Sequence, residues 1–137
     1  MDRRTRFELL SRLREDADRI CSRFGLRYLS IEAERANVKR RYGICYSDGT
    51  IKIRLRHVAT GQPLKYSSLV STLCHELAHL KYFDHSPRFQ DFYQHILGWA
   101  RAQGIYRPGK APSKLPLAPP KGDAQVPDAG PVQLSLF

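Results

Sequence analysis

The stretch Cys74-His75-Glu76-Leu77-Ala78-His79-Leu80-Lys81-Tyr82-Phe83-Asp84-His85-Ser86-Pro87-Arg88-Phe89 decides how this chain is read. Leu69, Val70, Leu73, Leu77 and Leu80 form a wide apolar stripe that predicts a helix from about 67 to 82. On such a helix His75 and His79, four residues apart, lie one turn apart on one face. Both imidazoles can therefore reach a single zinc ion. Glu76 directly follows the first of them and is placed to hold a water on that ion and act as general base. Zinc lowers the pKa of a bound water to about 7, so the chemistry runs at neutral pH. Burying two unpartnered histidines around a glutamate would be costly, which argues against a chance arrangement.

Catalytic zinc takes three protein ligands and keeps one position open. No glutamate follows Glu76, so a downstream glutamate ligand is excluded. Asp84, His85, Asp91 and His95 remain as candidates. His85 is favoured, because Ser86-Pro87 bends the chain just after it and can swing its ring back. Asp84 reads as a turn residue. Asp91 and His95 fall inside the next helix, which Ser86-Pro87 opens and Gly104 ends. The spacing of His75, His79 and His85 equals that of the metzincin pattern. Tyr82 holds the glycine position of that pattern, however, and Met1 is the only methionine, so no methionine turn exists. Cys74 is expected to pack in the core.

Upstream, Phe7, Leu10, Leu13, Ala17, Ile20 and Phe24 predict a helix over 5–24, stopped by Gly25. A strand is expected over Leu26–Ile31. A hairpin is expected from Val38–Tyr46 and Thr50–Val58 around Ser47-Asp48-Gly49. In its second arm Ile51, Ile53 and Leu55 alternate with Lys52, Arg54 and Arg56, giving one apolar face and one cationic face. With Lys39 and Arg40, these cations are the expected DNA-binding residues, tracking phosphates without reading bases. The net charge of +10, with fifteen of 23 Lys and Arg in the first sixty positions, supports a polyanionic partner. Tyr28, Tyr42 and Tyr46 could stack on unpaired bases, but packing within the sheet is the expected role.

The 137 residues suggest one domain. The expected class is α+β and zincin-like: an N-terminal helix, a small antiparallel sheet with a basic hairpin, the active-site helix, a following helix and a disordered tail. The expected divisions are a metallopeptidase domain at 1–105, a Pro-rich flexible linker at 106–132 and a terminal peptide at 133–137. Seven of the nine prolines lie beyond Arg107. No apolar run is long enough to span a bilayer, and the charged N-terminus lacks a signal-peptide stretch, so a cytoplasmic protein is expected. Three cysteines without metal-ligand spacing fit reduced thiols.

The segment His-Glu-Leu-Ala-His-Leu-Lys-x-x-x-His-Ser-Pro-x-Phe at 75–89 resembles the SprT-like and YgjP-like metallopeptidases, including the WLM group. Arg41-Tyr42-Gly43-Ile44-Cys45 and Gly49-Thr50-Ile51 are similar to the hairpin that precedes the catalytic helix in that group. The resemblance spans roughly 38–97. It implies His75, His79 and His85 as ligands of one zinc, Glu76 as general base, and an edge strand that holds extended protein substrate by strand addition. A Cys-rich zinc ribbon is absent after the core.

Gln133-Leu134-Ser135-Leu136-Phe137 resembles the bacterial sliding-clamp-binding peptide, in which Gln anchors and the apolar side chains fill a clamp pocket. A flexible linker of about 25 residues reaches about 25–30 Å. The layout is similar to that of the Spartan family, whose members degrade proteins covalently trapped on DNA. The expected function is therefore a zinc endopeptidase recruited to DNA through the clamp. The alternatives are a general cytosolic peptidase and a non-catalytic zinc-stabilised adaptor.

Overall fold

The computed structural model describes residues 1–35, 38 and 40–108. Its elements run α1 (Arg3–Phe24), β1 (Ser30–Ala33), β2 (Gly43–Cys45), β3 (Thr50–Ile53), α2 (Tyr66–His79) and α3 (Pro87–Ala102). Lys39 and the whole of 109–137, including the linker beyond Pro108 and the terminal peptide, lie outside the described residues.

Helix α1 begins where the Asp2 carboxylate accepts the Thr5 N–H at 2.8 Å, a side-chain cap that satisfies one of the free N-terminal donors. Its buried stripe is Leu13, Ala17, Ile20 and Cys21. The expected strand over Leu26–Ile31 begins later, at Ser30. The Leu26 N–H is used to cap α1 through the Cys21 carbonyl at 3.0 Å, so the chain cannot yet pair with a strand there.

The sheet order is β1-β3-β2. β2 and β3 are antiparallel, as the turn signal predicts, with Ile44 opposite Lys52. β1 joins β3 in parallel, with Ile31 beside Ile51, so the sheet is mixed and the expectation of an antiparallel sheet is corrected. The reason is connectivity. The long passage from Ala33 to Gly43 lets the chain return and lay β2 on the far side of β3. β3 is central because Ile51 and Ile53 are fully buried. Gly49, at φ 95, makes the tight hairpin turn, a conformation that side-chain-bearing residues rarely adopt.

Both hairpin arms are shorter than predicted. β3 stops at Ile53, and residues 55–64 fold back on themselves. The Leu64 N–H meets the Leu55 carbonyl at 2.9 Å and the His57 N–H meets the Gln62 carbonyl at 2.8 Å. Arg56 and Pro63 form the bridge between these two pairs. The turn residues Thr60-Gly61 close this small loop.

Helices α1 and α2 pack on one face of the sheet, and α3 packs on α2 and α1. Leu69, Val70, Leu73 and Leu77 of α2 meet Ile51 and Ile53 below and Phe89, Ile96 and Ala100 of α3 beside them, all fully buried. Burying side chains of this size stabilises by roughly 1.5–3 kcal/mol each before entropy is counted. Tyr66 ties α2 to α1: its hydroxyl donates to Asp16 at 2.6 Å, and the Arg12 guanidinium lies 3.6 Å from its ring centroid. No helix of the described residues is long and apolar enough to cross a membrane.

Candidate metal centre and active site

Helix α2 ends at His79, three residues short of the predicted limit at Tyr82. Its last turn tightens, with the Leu80 N–H on the Leu77 carbonyl at 3.0 Å. The tightening has a consequence for His79. The Tyr82 carbonyl comes within 2.9 Å of the His79 Nδ1. A carbonyl only accepts, so Nδ1 carries the proton and Nε2 is left as a free electron pair. A second nitrogen fixed in this way is what orients metal-binding histidines. The chain then bends through Asp84, whose carboxylate accepts the Ser86 N–H at 3.3 Å, and α3 starts at Pro87 under a Ser86 cap. Asp84 is thus a turn residue, as expected.

The bend returns His85 to the helix face. Ring centroids are 5.0 Å apart for His75 and His79, 5.4 Å for His75 and His85, and 4.8 Å for His79 and His85. One nitrogen from each of the three lies within 4.8 Å of the other two. Neither Asp84, Asp91 nor His95 belongs to this group. His95 instead turns its Nδ1 to the Asp91 carbonyl of its own helix at 2.9 Å.

Electrostatics favour the metal-ready form. Burial lowers the His79 pKa, against an opposing pull from Glu76. The more exposed His85 falls to about 4, first through desolvation of its ring and then through the neighbouring His79 and His75. Neutral imidazoles are the form that binds a cation. Three imidazoles converging on one point, with a buried carboxylate beside them, are the donor set of a catalytic zinc site. The residues present therefore fit one zinc ion.

Glu76 is 5 % exposed, and its Oε2 lies 3.3 Å from the His75 Nδ1. Its methylene stem packs against β2. A Cβ placed on Gly43 would lie 3.2 Å from the Glu76 Cγ and 2.8 Å from the Thr72 Cγ2, so only glycine allows this approach. β2 is an edge strand. The Arg54 N–H reaches the Tyr42 carbonyl at 2.7 Å and the Tyr46 N–H reaches the Thr50 carbonyl at 2.8 Å. By antiparallel alternation, the intervening Gly43 and Cys45 aim their backbone groups away from β3. Among the described residues this edge is unpaired, and it runs past the buried carboxylate.

Two aromatic side chains of the site were given no packing role from sequence, although Phe89 closes the 75–89 motif. Phe89 is fully buried behind all three imidazoles, stacked on His79 at 4.3 Å and edge-on to His75 at 4.9 Å and His85 at 5.1 Å. Tyr93, one turn further along α3, lies 5.3 Å from His75 and shares a 2.8 Å hydrogen bond with the Ser71 hydroxyl. Their four-residue spacing on α3 was the available signal, but it reads equally as ordinary core. For Gly43 the signal was a glycine inside a strand, which marks a close backbone approach.

The expected basic face divides. Arg54 is 8 % exposed, and its guanidinium donates to the Val38 carbonyl at 2.8 Å. Its guanidinium is thus engaged within the fold. Lys52 and Arg56 are half-buried and Arg40 is exposed. Tyr28 packs against the core and donates to Asp18 at 2.6 Å, whereas Tyr42 and Tyr46 stay exposed, against the expectation that they pack away.

Residues 1–103 match the YgjP-like metallopeptidase domain, a longer span than the sequence resemblance covered. Among solved structures, a Wss1 mutant from Saccharomyces cerevisiae superposes with a TM-score of 0.67 at 18% identity, covering 77% of this chain and 87% of that one. Wss1 from the same yeast gives 0.62 at 20% identity, covering 70% and 79%. A Wss1 mutant from S. pombe gives 0.57 at 20% identity, covering 66% and 80%. No curated protein matches the chain significantly. The chain belongs to the YgjP-like metallopeptidase family and is a zinc metallopeptidase.

Proposed function

We propose that this metallopeptidase is an endopeptidase that degrades proteins crosslinked to DNA and is brought to them by the sliding clamp. The observation that carries the peptidase chemistry is the free edge of β2 running past Glu76 and three converging imidazoles. An extended protein segment can add to that edge as a further strand, which places one of its peptide bonds at the imidazole cluster. His75, His79 and His85 would hold the ion. Bound zinc supplies Lewis-acid polarisation of the scissile carbonyl. The Glu76 carboxylate takes a proton from the attacking water and delivers it to the leaving amine. The turn that carries the exposed Phe83 and His85 leaves the third imidazole open to solvent, which suits unfolded or damaged protein as substrate.

Two sequence features support the DNA setting. The net charge is +10, and Gln133–Phe137 has the form of a clamp-binding peptide. Arg40, Lys52 and Arg56 are the candidate phosphate contacts among the described residues, and Lys39 is a further candidate. The test pairs a clamp pull-down with a cleavage assay on a protein crosslinked to clamp-loaded DNA. Removal of 133–137 abolishes capture by the clamp and slows cleavage of the loaded substrate, while cleavage of a free unfolded protein is unchanged. Equal capture with and without these residues refutes the recruitment.

A further inference from the structure

The outer face of the sheet, opposite the helices, carries Tyr42, Ile44 and Tyr46 along the β2 line and Thr50, Lys52 and Arg54 along the β3 line. Tyr42 is 56 % exposed and Tyr46 39 %. Two large rings left in solvent on one strand face are unusual for residues that gain by burial. Each has a cation at its side. The Arg54 Cζ lies 5.2 Å from the Tyr42 ring centroid and the Lys52 Nζ lies 5.7 Å from that of Tyr46. Arg54 is pinned to Val38 and so braces Tyr42.

We propose that this face is a stacking platform for single-stranded DNA, with Tyr42 and Tyr46 each taking one base and Lys52 meeting the intervening phosphates. The proposal rests on the DNA-tethered reading above and names how the DNA is held. Aromatic side chains stack only on bases whose faces are free, so paired DNA is a poor ligand. Four residues of extended strand separate the rings by about 13 Å, which suits two separate bases. Glu32 stands beside Lys52 in register on β1 and accepts the Ser30 hydroxyl at 3.0 Å. Its charge repels phosphate and confines the DNA to the β2 side of the face. Residues alternate along β2, so Gly43 abuts Glu76 while Tyr42 and Ile44 point the other way. One short strand thus presents its edge to protein and its outer face to DNA, holding a DNA-bound substrate next to the catalytic carboxylate.

Fluorescence anisotropy on the full chain tests this, with a labelled oligo-dT strand, an abasic strand of equal length and a duplex. The parent binds oligo-dT more tightly than either of the others. Tyr42→Leu and Tyr46→Leu each weaken oligo-dT binding by about fivefold or more, leave abasic-strand binding unchanged, and are each rescued by Phe at the same position. Glu32→Gln tightens binding. Duplex bound as well as oligo-dT, parental affinity in both Leu variants, or equal losses on base-carrying and abasic strands overturns the platform while leaving a DNA role intact. Tighter binding of the matched RNA strand overturns the choice of DNA. No binding to any strand refutes the DNA-tethered reading as well. The parent's preference for base-carrying over abasic strand needs no variant, so misfolding cannot mask the answer.

Discussion

His75, His79 and His85 span α2 and the bend after it; Lys52, Arg54 and Arg56 span the end of β3. The cations alternate evenly and the first two histidines stand four apart with the third six further on, and each set was expected to act as a unit. The histidines converge to within 4.8 Å. The cations disperse: Arg54 is buried against Val38, while Arg56 has left the strand for a separate bridge to Pro63. The difference lies in what sets side-chain direction. A helix turn fixes the i, i+4 relation by its own hydrogen bonds. Strand alternation says which side chains share a face, but not where the strand stops or what covers that face.

The sharpest break in this comparison comes from Glu76→Gln. It keeps the shape and the zinc but removes the proton acceptor, so cleavage of an unfolded protein falls by about a hundredfold to ten-thousandfold. Parallel measurement of zinc content and turnover checks it. Unchanged turnover would reduce the array to a structural zinc site.

Phe89→Ala comes next. It empties the space behind all three rings and destabilises the chain by about 3–5 kcal/mol in denaturant titration. Zinc affinity, read by competition with a chromophoric chelator, falls as well, because the imidazoles lose the surface they rest on.

Much of the metal centre was legible in sequence because its parts are local. His75, Glu76 and His79 needed only helical periodicity, and His85 needed only the Ser86-Pro87 bend. Phe89 closes the 75–89 motif, but its packing role, like those of Tyr93 and Gly43, was missed because it depends on how separate elements pack together. The hairpin turn at Asp48-Gly49 was also legible. The parallel seat of β1 was not, since nothing in a four-residue strand says which neighbour it will join. The order β1-β3-β2 is settled by the burial of Ile51 and Ile53 at the centre.

Gly43→Ala probes the contact that joins the two regions. The added methyl would lie 2.8 Å from the Thr72 Cγ2 and 3.1 Å from the Lys52 carbonyl oxygen, so β2 must move away from α2. The expected cost is about 1–3 kcal/mol in stability, with a drop in kcat/KM as the strand edge shifts from Glu76. The smallest effects separate the cations themselves. Arg54→Ala leaves the Val38 carbonyl without its donor and costs about 1–3 kcal/mol. Lys52→Ala stays within about 0.5 kcal/mol. Equal stabilities for the two variants would return Arg54 to the solvated face.

The zinc-edge X-ray absorption spectrum of the purified full chain, recorded for the parent and for His85→Ala, addresses the central claim most directly. One zinc per chain with three imidazole nitrogens at about 2.0–2.1 Å and one oxygen is the predicted result, with one imidazole and most of the metal lost in the variant. A parent spectrum with only two imidazoles, or a variant that keeps the parental spectrum and zinc content, would contradict it.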